Sequence, residues 1–327
     1  MTGYRSKMIE FSIIISCYNS EDTITSTLNS IANLNYDFSK IEIIIINDGS
    51  TDKTLILIKQ FIEENPKIQV FIINQKNKGL SFSRNLGILN SNKSHLLFLD
   101  SDDQLNNEIL SKINDTIKDN DIVAFSRETV FNGKITYEKN KNKNLVEFLN
   151  NPKDLIVGAQ YYCYKKTFLL NNNIFFKEHI IHEDILFLVN IFSVLHKIKV
   201  IEYFGYRRFI IKDSLSQRNN YKRFKSLIII SNEIHSKLNF ISTDRKYLFE
   251  YFGMLSFMNG VYSYLMDDKF KMTKEIKYLI SSNKWLSDSL VRKSFKRKIH
   301  FFLMRNFNLN LIKFLFSLYE KIRLPKI

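Results

Sequence analysis

Four short apolar runs, each followed by a polar turn and most by a stretch of helical period, constrain this chain more than any other feature. They are Phe11-Ser12-Ile13-Ile14-Ile15-Ser16, Ile41–Ile46, Gln69–Ile73 and His95-Leu96-Leu97-Phe98-Leu99. Runs this short and this rich in β-branched residues read as strands buried on both faces, the usual state in a parallel sheet. Between them Ile24, Leu28 and Ile31, then Leu55, Ile58 and Ile62, recur at helical spacing, and Leu80–Asn90 reads as a further helix. Ser20 stands where it would cap the first helix, and Pro66 follows the second. The order β-α-β-α-β-α-β predicts an α/β fold with a mostly parallel central sheet and crossover helices. Ile122–Phe125 is expected to continue that sheet, and Asn132–Asn144 to form an exposed loop or a weak hairpin.

Ligands in open α/β sheets bind just beyond the carboxyl ends of the strands. Three of the four runs drop polar side chains there: Tyr18 and Asn19, then Asp48 with Gly49 and Ser50, then Asp100, Ser101 and Asp102. Parallel strands share that edge, so these turns converge on one cleft. Side chains two apart on a strand point the same way, which lets Asp100 and Asp102 face one ligand. Their mutual repulsion is relieved by a hard cation, Mg²⁺ or Mn²⁺, held by one or two carboxylates and substrate phosphates. The competing reading is an acidic turn, with Asp103 opening a helix at Gln104–Lys118. Tyr18 offers a ring to a nucleotide base or packs at the edge of the core. Asp48 can accept an N–H from a base edge. Arg84 can reach a phosphate or pair with a carboxylate.

The chain has 327 residues, enough for one large domain or two smaller ones, and a net charge of +15. From Val291 to Ile327 ten Lys/Arg stand against the single Glu320, so the excess is concentrated in the tail. There, basic clusters alternate with apolar groups, a pattern that suits an anionic membrane surface or a helical hairpin packed on protein or on another copy. Cys17 and Cys163 make no disulfide framework or metal cluster, which fits a reducing, cytoplasmic setting. The start is short and polar, without an apolar leader, and no run of about 18 apolar residues is present to span a membrane.

These stretches, in this order, resemble the family 2 glycosyltransferases, which have the nucleotide-sugar-binding GT-A fold. The resemblance is carried by Ser12–Asn19, Ile45–Asp52, Asn77–Gly87, Phe98–Asp103 and His182-Glu183-Asp184-Ile185-Leu186-Phe187. It implies a catalytic domain over residues 1–215; beyond its motifs, helical periodicity predicts a helical C-terminal region over 216–327. It implies that Asp48 contacts the uracil of a UDP-sugar and that Tyr18 lines the base pocket. Ser16, Asn19, Glu21, Arg84 and Ser101 fall on the same nucleotide side. Asp100 and Asp102 become the Asp-X-Asp element, touching ribose and a Mn²⁺ or Mg²⁺ on the diphosphate. Asp184 matches the catalytic base, with Glu183 orienting the acceptor or replacing it. Tyr206-Arg207-Arg208 and Ser214–Ser216 resemble, more loosely, a segment that closes over the diphosphate or acceptor.

The chemistry agrees with these roles. A divalent metal stabilises charge on a leaving diphosphate without proton transfer, and a carboxylate takes the proton of an incoming hydroxyl. A base opposite the leaving group gives a single displacement with inversion. By residue type alone, Glu183-Asp184 are equally acids in the first turn of a helix, Glu183–Leu195. His182 is expected to be solvated or packed. From Asn219 to Lys284 the period is helical, with Tyr251, Phe252, Phe257, Tyr262 and Tyr264 expected in a core. The expectation is an inverting enzyme that uses a UDP-sugar and a saccharide or lipid-linked acceptor of surface-polysaccharide, capsule or lipopolysaccharide synthesis. It would lie in the cytoplasm, peripheral to the inner face of the membrane, and take no nucleic acid. A catalytically inactive sugar-nucleotide or lipid-binding subunit is the alternative. A nucleotidyltransferase would need a Gly-rich phosphate loop, which Cys17-Tyr18-Asn19-Ser20 does not supply. A glycoside hydrolase would use two carboxylates without the nucleotide-side residues.

Overall fold

The computed structural model describes residues 8–117, 119–210 and 221–265. The four apolar runs form β1 (Phe11–Cys17), β2 (Ile41–Asn47), β3 (Gln69–Asn74) and β4 (His95–Asp100), alternating with α1 (Ile24–Ala32), α2 (Thr54–Glu64) and α3 (Leu80–Asn90). β1 and β2 are buried along almost their whole length, as their unbroken apolar sequence requires. Ser20 does not cap α1 with its side chain. Its carbonyl accepts the Thr23 and Ile24 amides in a preceding turn, while its hydroxyl lies 2.8 Å from that of Ser101. Nor does Asp103 open a helix. β5 (Gln104–Leu105) follows at once and α4 begins only at Ile109, running Ile109–Ile117.

The chain continues through β6 (Ile122–Phe131), β7 (Lys134–Glu138), α5 (Leu145–Asn150), β8 (Tyr162–Lys165), α6 (Lys166–Asn171), α7 (Glu183–Val194) and β9 (Ile198–Phe209). All nine strands join one mixed sheet in the order β3-β2-β1-β4-β8-β6-β9-β5, with β7 added to β6. The β3-β2-β1-β4 half is parallel, as is β6 with β9; β8 enters antiparallel between β4 and β6. β6 therefore extends the sheet as expected but is not a neighbour of β4. The hairpin reading of 132–144 holds for β6 and β7: Asn132 and Gly133 both have positive φ (49° and 75°), the geometry of a tight two-residue turn.

Two close approaches set the site. At Gly87 on α3 a Cβ would overlap the Ile14 side chain, so α3 lies directly on β1 and β2 one turn after Arg84. At Gly205 a Cβ would overlap Ile109, which brings β9 against α4. Beneath them Phe98, Phe176 and Phe187 pack as a cluster, Phe176 stacked on Phe187 at 3.9 Å between ring centroids. α7 buries Leu186, Phe187, Leu188, Val189, Ile191 and Phe192, and is apolar nearly all round accordingly.

The chain divides into two compact units, Met1–Ser214 with Ile241–Leu248, and Leu215–Phe240 with Phe249–Ile327. In the first, Arg245 of the return segment is buried and donates to the carbonyls of Phe192 and Leu195, satisfying the end of α7. In the second, α8 (Tyr221–Lys237) buries Phe224, Leu227, Ile228 and Ile234, and the close packing at Gly260 of α9 (Lys246–Leu265) is against Leu227. Phe252 and Phe257 are core residues as expected and Tyr251 is half-buried, whereas the side chains of Tyr262 and Tyr264 lie outside the described residues. So do Ser214–Ser216 and the basic tail. No described helix is long and apolar enough to cross a membrane.

Candidate active site

The turns after β1 and β2 are stitched together by the side chains expected on the nucleotide side. Asn19 is held in the left-handed region (φ 48°); its amide donates to Ser50 Oγ (3.0 Å) and its Oδ1 accepts the Thr51 amide (2.8 Å). The Glu21 amide donates to Asp52 Oδ2 (3.0 Å), while Glu21 Oε2 accepts the Lys53 amide (2.9 Å). Asn19 and Glu21 thus organise the rim. Tyr18 is half exposed beside them, free to present its ring. The Ser16 hydroxyl, at the end of β1, is enclosed and has no partner among the described residues.

Asp48 is buried and already occupied. Its Oδ1 accepts Gln75 Nε2 (2.7 Å) and the Lys78 amide (2.8 Å), and its Oδ2 accepts the Gly79 amide (2.8 Å). A carboxylate offers about four acceptor positions, so three are spent on the 75–79 loop. In this structure Asp48 shapes the loop that walls the cleft, with one acceptor position left over. Gly49, at φ 81°, lets the loop close over it: a Cβ would lie 2.9 Å from the Asn77 amide nitrogen.

The centre of the site is Arg84. It is 3% exposed, and its guanidinium is shared among three carboxylates: Nη2 donates to Asp100 Oδ1 (2.8 Å), Nη1 to Glu183 Oε1 (3.0 Å) and to Asp184 Oδ1 (3.0 Å). Phe98 and Phe176 flank its charge at 6.0 and 5.2 Å. Of the two readings open to Arg84, the structure shows the pairing with carboxylates: it links the end of β4 to the start of α7, and its planar fork suits that task. The reason is tertiary: the approach of α3 to the sheet delivers the guanidinium between acids more than eighty residues apart in sequence.

Negative charge nevertheless dominates. Burial, with Asp184 beside it, pushes Glu183 up to about 7 despite Arg84. Burial also raises Asp184, with Arg84 and the Ala159 amide (3.3 Å) opposing. Asp102 is pushed up to about 6 by burial and by Asp100, with Arg208 opposing, and Asp103 to about 8 by burial and both neighbouring acids. Arg84 pairs with Asp100, Glu183 and Asp184, and Asp102 and Asp103 add two more acids to the turn after β4. Among the described residues no three metal-ligating side chains come together, so Asp100 and Asp102 would hold a divalent cation jointly with an anionic ligand. Ser101 fixes this turn from the α1 side, its carbonyl accepting Thr27 Oγ1 (2.9 Å). His182 sits at the start of α7 with φ 66°, half-buried. Tyr206 on β9, quoted above only as part of a closing segment, proves to be buried against Asp100 and Asp103. Its strand spacing carried no signal of that contact.

Residues 12–215 match the sequence profile of glycosyl transferase family 2. The chain belongs to that family. This glycosyltransferase is 26% identical over 315 residues to a cholesterol galactosyltransferase of Borreliella burgdorferi, a match covering 88% of this chain and 80% of the relative. It is 27% identical over 197 residues to the poly(ribitol-phosphate) beta-N-acetylglucosaminyltransferase TarS of Staphylococcus aureus, covering 59% of this chain but only 34% of TarS. Among solved structures, S. aureus TarS 1-349 in complex with UDP aligns over 97% of this chain and 93% of its own, with a TM-score of 0.70 at 20% identity. The mannosyltransferase PcManGT of Pyrobaculum calidifontis, in complex with GDP-Man and Mn²⁺, aligns over 97% and 89% with a TM-score of 0.57 at 13% identity. The fold is the GT-A fold.

Proposed function

We propose that this glycosyltransferase moves a sugar from a UDP-sugar to a saccharide or lipid-linked acceptor, by a single inverting displacement. The observation that carries this reading is the Arg84 cluster, in which one buried guanidinium holds Asp100 of the donor edge and Asp184 of α7 in a common frame. The UDP and UDP-GlcNAc complexes of TarS support the choice of donor, and the name of the Borreliella relative supports a lipid as one class of acceptor. Tyr18 would stack on the base and the Ser16 hydroxyl would find its partner in the nucleotide. Asp100 and Asp102 would hold Mn²⁺ or Mg²⁺, which supplies charge stabilisation to the departing diphosphate.

Asp184 is the base in this scheme. Both of its hydrogen bonds among the described residues fall on Oδ1, leaving Oδ2 to take the proton of the acceptor hydroxyl. Its raised proton affinity makes it a stronger base than an exposed aspartate. Glu183 is less accessible, with a side chain 9% exposed against 22% for Asp184, and its part is to help fix Arg84. The basic tail over 291–327 would bring the enzyme to an anionic membrane carrying the acceptor, on the cytoplasmic side. Incubation with UDP-, GDP- and dTDP-sugars and Mn²⁺ tests the reading: selective UDP-sugar turnover, abolished in Asp102→Ala and by chelation, is expected. Folded protein that binds no nucleotide sugar would overturn it in favour of an inactive subunit.

A further inference from the structure

The fourth residue of the Asp100–Asp103 turn has no place in the scheme above, yet it is the most buried of the four, 3% exposed. Asp103 Oδ2 accepts the Tyr206 hydroxyl (2.8 Å) and Oδ1 accepts the Phe209 amide (2.7 Å). The same Tyr206 oxygen accepts the Asp100 amide (3.2 Å), and the Asp103 amide donates to the Asp100 carbonyl (3.1 Å). One phenol oxygen therefore ties the backbone of the first carboxylate to the side chain of the last, closing a ring around Ser101 and Asp102.

The far side of that ring is packed and paired. Tyr206 is fully buried and meets Tyr161 edge-on at 5.3 Å, and Tyr161 accepts Arg127 Nη1 (2.8 Å). Its strand is held on two sides, Tyr206 pairing with Leu105 of β5 and with Arg127 of β6. A third acid is thus packed beside Asp100 and Asp102 and kept there by two donors from β9. That arrangement is sensible where a cation is received and where the acids must be kept from moving apart.

Resting on the donor-site reading above, we infer that Asp103 and the Tyr206 hydroxyl are positioning residues of the donor site. They clamp the Asp100–Asp102 turn to β9, so that both carboxylates meet a metal–nucleoside diphosphate in one preset geometry. Partners one step removed from a metal ligand typically change metal affinity by about 10–100-fold when removed.

The test is Mn²⁺ binding in the presence of UDP, followed through the free-Mn²⁺ electron paramagnetic resonance signal, for the full chain, Tyr206→Phe and Asp103→Asn. Tyr206→Phe keeps the ring and its contact with Tyr161 while deleting the bridging oxygen. Asp103→Asn keeps the volume and the Phe209 acceptor but sets an amide donor against the Tyr206 oxygen. Both are expected to weaken Mn²⁺–UDP binding about 10-fold or more at temperatures well below their melting transitions. A purely structural link would lower the melting temperature and leave that affinity unchanged; folded variants within twofold of the wild type would overturn the inference while leaving the donor reading intact. Should Tyr206→Phe not fold, Asp103→Asn decides alone. A wild-type chain that takes up no Mn²⁺ with UDP would overturn the donor reading and this inference with it.

Discussion

Replacing Arg84 by Met removes the charge at the centre of the site while keeping a side chain long enough to fill the space between Phe98 and Phe176. Asp100, Glu183 and Asp184 then lose their shared cation. Leaving a buried carboxylate without its partner costs about 3–5 kcal/mol. The cost depends on pH, because Glu183 sits near 7 even with Arg84 present and rises further without it. An acid whose folded pKa lies above its unfolded value binds more protons when folded. Its penalty is absent below the unfolded value of 4.5 and grows as pH rises, until the folded pKa is passed. Each extra proton retained by the folded variant steepens the fall by about 1.4 kcal/mol per pH unit. Urea unfolding at intervals from about pH 5 to about pH 9 should therefore show Arg84→Met close to the wild type at the acid end and several kcal/mol weaker at the alkaline end. A deficit of the same size at every pH would refute the charge argument, and no deficit at all would refute the cluster.

The remaining predictions concern separate parts of the molecule. Asp184→Asn should lower kcat about 10²–10⁴-fold with UDP affinity unchanged, measured by steady-state kinetics and UDP titration; a wild-type rate would exclude Asp184 as base. His95 is buried and held down to about 4 by burial and by Lys165, so the folded state resists its protonation. Its contribution is intact above the unfolded value of 6.5 and is lost as pH falls toward 4, roughly 2 kcal/mol by pH 5, and His95→Gln should remove that part of the acid sensitivity in denaturant unfolding. Gly87→Ala should destabilise by about 1–3 kcal/mol through overlap with Ile14, seen as a lowered melting temperature; an unchanged melt would mean that α3 can lift from β1 at no cost.

The alternation of apolar runs and helical periods determined the parallel half of the sheet, because strands buried on both faces have to be written as unbroken apolar sequence and read that way without any structure. The position of the polar turns determined which edge carries chemistry, since parallel strands all end on the same side. The ordered motifs likewise determined the family. Sequence could not say what each polar side chain touches. Arg84 read equally as a phosphate ligand or a partner of a carboxylate, because its three acids lie sixteen to a hundred residues away and only the approach of α3 at Gly87 brings them within reach. Asp48 and Glu21 read as ligand contacts, with no sign in the sequence that backbone amides of neighbouring loops also hold both Asp48 oxygens and one of Glu21's. Asp103 read as the opener of a helix because an acidic residue before a polar stretch has that local meaning. β9 overrides it by supplying two donors, the buried Tyr206 hydroxyl and the Phe209 amide, from more than a hundred residues downstream. Periodicity is a local property, and the chain carries it in plain sight. Hydrogen-bond partnership across a sheet is settled only when distant strands meet.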